Sequence, residues 1–266
     1  MKQYIKYFTI GALAVSGLTS CNDFLDREPL SSITPSTFFN TADDLSAYTI
    51  NYYPFKTVGS GYGVQIFGED NNSDNQAGSG YSSIYVPGEW RVGSGTDNWS
   101  WENIRSCNYF FQQVLPKYEA GSITGNQANV KHYIGEMYVI RAYNYFNMLK
   151  TIGDAPIIDV PLNDVRDELT EASKRRPRHK VAQFIIDDLK KAEALLSENA
   201  PGGKNRISRD VASLLRARVA LYEATWEKYH AGTAFVPGGS GWPGSDSESF
   251  SADLYNTFLT EAMDAA

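Results

Sequence analysis

Cationic side chains are the minority charge in this chain, with 24 Lys and Arg against 31 Asp and Glu and a formal net charge of −7. That balance argues against a nucleic-acid partner, because phosphate binding needs a cationic footprint. The densest basic run (Lys174, Arg175, Arg176, Arg178, His179 and Lys180) reads as a solvated approach to a helix. Histidine is scarce as well. His132, His179 and His230 stand apart, and none belongs to an H-E-x-x-H pattern, so no metal centre is expected. No G-x-S-x-G or Walker motif occurs. Glu69, Asp70 and Asp74 offer material for a glycosidase carboxylate pair, but Asp and Asn in glycine-rich loops are mostly turn formers, so an enzyme is not expected. There are two cysteines, Cys21 and Cys107. They have the option of pairing in an oxidising compartment, but the surroundings of Cys21 favour a separate fate for each. Past the first 20 residues no run approaches 18 consecutive apolar residues, which excludes a helical membrane span.

What the chain does have begins at its N-terminus. Lys2 and Lys6 precede an apolar stretch from Tyr7 to Leu18, the length of a signal-peptide core. The tetrapeptide L-T-S-C at 18–21 then resembles a bacterial lipobox, where cleavage before the cysteine is followed by its acylation. The alternative is an ordinary signal peptide with an incidental cysteine. Residues 1–20 are thus expected to be a lipoprotein signal and residues 21–40 a lipidated tether. More than one acyl chain on Cys21 makes attachment effectively permanent, at about 0.8 kcal/mol per buried methylene. No other cofactor is expected.

From residue 41 onward the pattern is mainly α. Thr41 is a plausible N-cap, with Asp43 and Asp44 in the first turn and Leu45, Tyr48, Thr49 and Tyr52 at helical spacing up to Pro54. Residues 56–98 are rich in Gly, Asp and Asn and read as a long irregular loop, with short strands at 64–67 and 83–86. Further helices are predicted over 99–118, 126–151 and 177–197, from 209 for about twenty residues, and from 252 onward. Residues 154–176 read as a connector. Cys107 falls on the apolar face of the second helix as a small buried hydrophobe. Arg141, within an apolar helix, calls for a structural ion pair with a scaffold carboxylate. In the helix after Ser208, the stripe Val211, Leu214, Leu215, Val219, Tyr222 and Trp226 is the predicted buried face. The helices from 177 and 209 approximate the helix-turn-helix unit of a tetratricopeptide array. The chain stops inside an amphipathic helix without a cap, so the expectation is the N-terminal part of a longer protein, truncated at the C-terminus, with the last helix lacking its partner.

Several segments together resemble the SusD/RagB family of outer-membrane nutrient-uptake lipoproteins. They are C-N-D-F-L-D at 21–26, W-E-N-I-R-S-C-N at 101–108, E-M-Y-V-I-R-A at 136–142 and G-D-A-P at 153–156. After them come I-D-D-L at 186–189, R-I-S at 206–208 and A-R-V-A-L-Y at 217–222. Their order and spacing carry the resemblance. It implies a SusD-like scaffold of tetratricopeptide-like helix pairs over 41–266, with long loops above it that hold the ligand. It also implies a lipoprotein on the outer membrane, facing the cell exterior, that delivers oligosaccharides from complex glycans to a TonB-dependent SusC-like transporter. The alternative is a scaffold or lid for a peptide-importing, RagB-like transporter complex.

A sugar site needs flat rings for pyranose C–H faces and planar polar groups for hydroxyls. The resemblance directs attention to the loop before the helix at Trp101. The expected ligand-binding set is Trp90, Arg91, Asp74, Tyr81, Asn98 and Trp99, with Trp90 stacking and Arg91, Asp74 and Asn98 hydrogen-bonding. Trp90 has the alternative of pinning its loop, and Trp99 that of opening the helix and packing inward. Trp242 is either a second platform or a loop anchor. The cluster Asp70, Asn71, Asn72, Asp74 and Asn75 is oxygen-rich enough for calcium, but its spacing is not that of an EF-hand.

Overall fold

A computed structural model describes residues 38–54, 80, 86–89, 99–244 and 252–266. Among these residues there are seven α-helices and no strands beyond two isolated bridges. They are α1 (Ala42–Ile50), α2 (Glu102–Glu119), α3 (Gln127–Ile152), α4 (Arg166–Ala172), α5 (Arg178–Leu195), α6 (Arg209–His230) and α7 (Ala252–Ala265). The mainly helical architecture agrees with the sequence reading. No helix among the described residues is long and apolar enough to cross a membrane.

The helix starts follow local chemistry. The Thr41 side chain accepts from the Asp44 N–H while the Asp44 carboxylate accepts from the Thr41 N–H, a reciprocal capping box. The Asn126 side chain caps α3 through the N–H groups of Ala128 and Asn129. Gly153, at φ 82°, ends α3 in a conformation other residues rarely adopt. Pro177 is the N-cap of α5 rather than a first-turn residue. Ser208 occupies the N-cap of α6, but its hydroxyl makes no capping hydrogen bond.

Packing is sequential around α3, the longest helix. α1, α2 and α5 lie against α3, α6 lies against α5, and α7 lies against α6. Gly135 permits the close approach of α3 to the end of α5, because a Cβ there would stand 2.8 Å from a Leu196 side-chain carbon. The core combines Ile134, Met137, Ile140 and Tyr145 of α3 with Phe110 of α2 and Ile185 and Leu189 of α5. Cys107 is fully buried among them, and burial pushes its thiol up to about 12, leaving an inert hydrophobe. The body begins before Thr41: Phe39, at the end of the expected tether, is buried edge-on against Phe110.

Four expectations are corrected. The connector 154–176 contains α4, a polar helix of about two turns with no buried residue and hence no periodicity to read. α6 buries only part of the predicted stripe: Val219 is buried and Leu215 and Tyr222 pack against the core, but Leu214 is 71% exposed, and the inward face also carries Arg216, Ala220, Glu223, Ala224 and Glu227. The basic run is not uniformly solvated, because Arg178 and His179 are buried against α6 carboxylates. And α7 does not lack a partner, since Phe258 and Ala262 are buried in its contact with α6.

Candidate functional site

Of the segments quoted for the resemblance, 136–142 meets 101–108, 186–189 and 206–208 in space, while 21–26 lies outside the described residues. Arg141 donates through Nε and Nη2 to the two oxygens of Asp188, at 2.7 and 2.8 Å. Its Nη1 donates to Asn108 Oδ1 at 2.8 Å and to the carbonyl of Asp159 at 3.3 Å. The guanidinium also lies over the Phe111 ring at 4.6 Å. Burial alone would lower the Arg141 pKa, but Asp188 outweighs it and holds the group above its ordinary value. A second pair joins Arg206, ahead of α6, to Glu136 of α3 at 2.7 Å. There burial works against the charge, and the guanidinium, with His132 helping, keeps the Glu136 carboxyl below the usual carboxylate range. The expected ion pair for Arg141 is thus present.

The first network has a structural product. Asn108 Nδ2 donates to the carbonyls of Ile158 and Val160, at 2.9 and 3.3 Å. Tyr145 holds Ile158 from the other side: its hydroxyl donates to the Ile158 carbonyl at 3.0 Å and accepts the Ile158 N–H at 2.8 Å. Arg105 Nη1 donates to the Leu162 carbonyl at 3.0 Å. The extended stretch 156–162 is therefore fastened to α2 and α3 by hydrogen bonds rather than by pairing with a strand.

Between that stretch, α4 and the start of α2 lies a cleft of about 590 Å³. This is an ordinary volume for a small-ligand site. One wall is aromatic. Trp99 and Trp101 lie nearly parallel, with centroids 6.0 Å apart and 7° between planes. Trp101 is set edge-on to the buried Tyr145 at 6.3 Å. The Arg175 guanidinium lies over Trp99 at 4.9 Å. The facing wall is aliphatic, from Pro156, Ile158, Val160, Leu162 and Leu169. Val160 and Leu169 are large apolar side chains left exposed at this mouth.

Of the ligand-binding residues expected from sequence, Trp99 is described, half-buried and lining the cleft. Its two readings merge, since it packs on Trp101 and also forms cleft wall. Asp74, Tyr81, Trp90, Arg91 and Asn98 lie outside the described residues, as do Cys21, the strands expected at 64–67 and most of 83–86, and the Asp70 to Asn75 cluster. Sequence reasoning missed Arg175, taken for part of a solvated run, and the wall at 156–162, taken for a plain connector. It also gave Trp101 to the core alone. Trp242 behaves as a loop anchor: its indole N–H donates to Asp154 Oδ2 at 2.9 Å, while Asp154 Oδ1 accepts the first N–H of α5. Among the described residues no cluster of three or more His, Cys, Asp or Glu side chains is placed to hold a metal.

Comparison with known proteins supplies a family. A family model described as "SusD-like_3: Starch-binding associating with outer membrane" matches residues 23–221. The chain is 22% identical over 222 residues to SusD-like protein P25 of Formosa agariphila, covering 78% of this chain and 41% of that protein. It is 24% identical over 242 residues to SusD-like protein P2 of the same organism, covering 89% of this chain and 46% of that protein. The chain therefore spans less than half the length of these two relatives. A SusD-like carbohydrate binding protein from Bacteroides vulgatus is similar at 21% identity, over 71% of this chain and 43% of that one, with a TM-score of 0.46. With a family match covering most of the chain and ending inside α6, this protein belongs to the SusD-like family.

Proposed function

We propose that this chain is a glycan-binding lipoprotein of the outer membrane that acts by binding and not by catalysis. On this reading it is anchored through acylated Cys21, faces the cell exterior, holds an oligosaccharide in the Trp99–Trp101 cleft and passes it to a TonB-dependent SusC-like transporter. The observation that carries the binding step is a stacked tryptophan pair forming one wall of a 590 Å³ cleft whose other wall is tied to the scaffold. A pyranose ring presents an apolar C–H face that suits such a ring, and a wall fixed in advance spares the ordering cost of binding. The names of the relatives support a carbohydrate ligand, and the family description supports an outer-membrane setting. The loop before α2, with Trp90, Arg91, Asp74, Tyr81 and Asn98, remains part of the proposed ligand surface.

Affinity electrophoresis of the full chain, purified in detergent, through gels cast with polysaccharides tests the binding step. Trp99→Ala is expected to lower the affinity of the retained glycan about tenfold, in line with roughly 0.5–1.5 kcal/mol for an aromatic contact beyond area burial. Unchanged retardation would remove the cleft from the ligand path. Retention of peptides and of no glycan would favour the peptide-importing alternative.

A further inference from the structure

The cleft is electrostatically unlike the chain that builds it. The protein carries a formal charge of −7, yet among the described residues the charged side chains lining the cleft are Arg105 and Arg175, and no carboxylate. Five other arginines, Arg141, Arg178, Arg206, Arg209 and Arg216, each hold a carboxylate within hydrogen-bonding distance. Arg105 and Arg175 hold none among the described residues. Arg166, Arg176 and Arg218 also hold none, but they are exposed outside the cleft.

Hydrogen-bonding capacity points the same way. Asn108 lines the cleft, but its amide is consumed by Ile158, Val160 and Arg141. The Ser173 hydroxyl donates to the Thr170 carbonyl. Arg105 spends Nη1 on Leu162 and keeps its other donors. The Arg175 guanidinium lies over the Trp99 ring, and it has no protein acceptor among the described residues. Apart from the lone pairs of Ser173 Oγ, the side-chain groups that the described lining leaves to meet a ligand are donors with permanent positive charge. A neutral sugar brings hydroxyls that need acceptors as well as donors. A carboxylate or sulfate brings acceptors alone and suits the planar guanidinium fork.

Resting on the reading of the cleft as the glycan site, we propose that it selects anionic oligosaccharides. The uronate carboxylate or sulfate ester of one residue is held by Arg175 and Arg105, while the ring of that residue or its neighbour lies against the tryptophan wall. Aromatic stacking gives Arg175 a preset orientation, so less side-chain freedom is lost when the anion arrives.

The test is calorimetry on the full chain in detergent with three probes of matched length: an oligogalacturonate, a sulfated galacto-oligosaccharide and a neutral gluco-oligosaccharide. At least one anionic probe is expected to bind ten times more tightly than the neutral one or better. That margin should shrink as sodium chloride rises, because exposed charges are screened. Arg175→Gln and Arg105→Gln should each lower the affinity of the anionic probe about tenfold, whereas Arg218→Gln, outside the cleft, should not. Since Arg175 is exposed, an unchanged melting temperature would separate lost binding from lost folding. Preference for the uronate, the sulfate or both supports the proposal and names the group. Equal binding of the neutral probe, with R175Q and R105Q indifferent, overturns it while leaving glycan binding intact. Binding of none of the three overturns both readings.

Discussion

Two faces of α5 carry buried charge, and they are finished differently. Toward α3, Asp188 meets Arg141, which also holds Asn108 of α2, and every polar side-chain atom of the three has a partner. Toward α6, Arg178 meets Glu223 as closely, donating from Nε and Nη2 at 2.9 Å and covering Trp226 at 4.1 Å. One turn further along α6, Glu227 is fully buried, and neither of its oxygens receives a hydrogen bond. Facing it from α5 is His179, whose Nδ1 stands 3.8 Å from Glu227 Oε1. The first cluster is built to hold a shape, and the shape it holds is the cleft wall. The second is built around a group that is more comfortable neutral than charged.

The largest expected effect comes from breaking the completed cluster. Arg141→Met leaves Asp188 ionised and buried with only Lys191, 3.6 Å away and half-exposed, as compensation. Breaking a buried pair in this way costs about 3–5 kcal/mol. Urea titration should show the unfolding free energy falling by that amount, through a lower midpoint at an unchanged slope. Glycan affinity should fall too, because Asn108 loses the acceptor contact that orients it toward Ile158 and Val160. The double variant R141M/D188L should recover much of the stability, since an apolar pair of similar volume replaces the ions. A single variant as stable as the wild type would show that the network does not hold the scaffold.

How much of this was readable in advance follows from the same contrast. Arg141 was readable because one cation in an otherwise apolar helix has to find a carboxylate. The partner's identity was not, because Asp188 lies 47 positions away. The ends of α1 and α3 were readable because Thr41, Asn126 and Gly153 act on their own neighbours. The inward face of α6 was readable only at Val219, because hydrophobic periodicity assigns Arg216, Glu223 and Glu227 to water and Val211 and Leu214 to the core, and the reverse holds for these five. For the same reason Arg178 and His179 passed for solvated: what buries them is the complementary charge on a helix about 45 residues later. In the cleft, Trp99 was readable as a flat ring at a loop end. Arg175 was not, since no local pattern joins it to a tryptophan 76 positions before it.

The incomplete cluster is sharpened by pH. Burial pushes the Glu227 carboxyl up to about 8, the neighbouring Glu223 carboxylate adds to the shift, and Arg178 opposes it. A carboxyl raised in the folded state contributes its stability fully below its ordinary value of 4.5, and that contribution is lost as the pH climbs through the folded value near 8. Thermal melts between pH 5 and 9 should therefore show the wild type losing stability with rising pH. Glu227→Gln, neutral throughout, should flatten that slope and be the more stable of the two above pH 8. Parallel slopes for wild type and Glu227→Gln would mean that Glu227 is ionised in the folded protein, and the contrast between the two faces of α5 would disappear.

The smallest effect concerns the entrance to α5, where Asp154 joins the two faces. It closes the segment leaving α3, accepts the Arg178 N–H that starts α5, and takes the indole N–H of Trp242 from the loop after α6. Asp154→Ala removes a helix-capping acceptor at a half-buried position, which costs about 1 kcal/mol. That is well below the penalty for R141M, because no ion is left stranded. The informative readout is the indole. Trp242 is half-buried and its indole N–H donates to Asp154, so freeing the ring should red-shift its fluorescence while the far-ultraviolet helix signal stays the same. Glycan affinity should not move, because the cleft wall is tied through Asn108, Tyr145 and Arg105 and none of these touches Asp154. Loss of affinity in Asp154→Ala would mean that the Trp242 loop, and not only the frame behind Trp99, shapes the ligand surface.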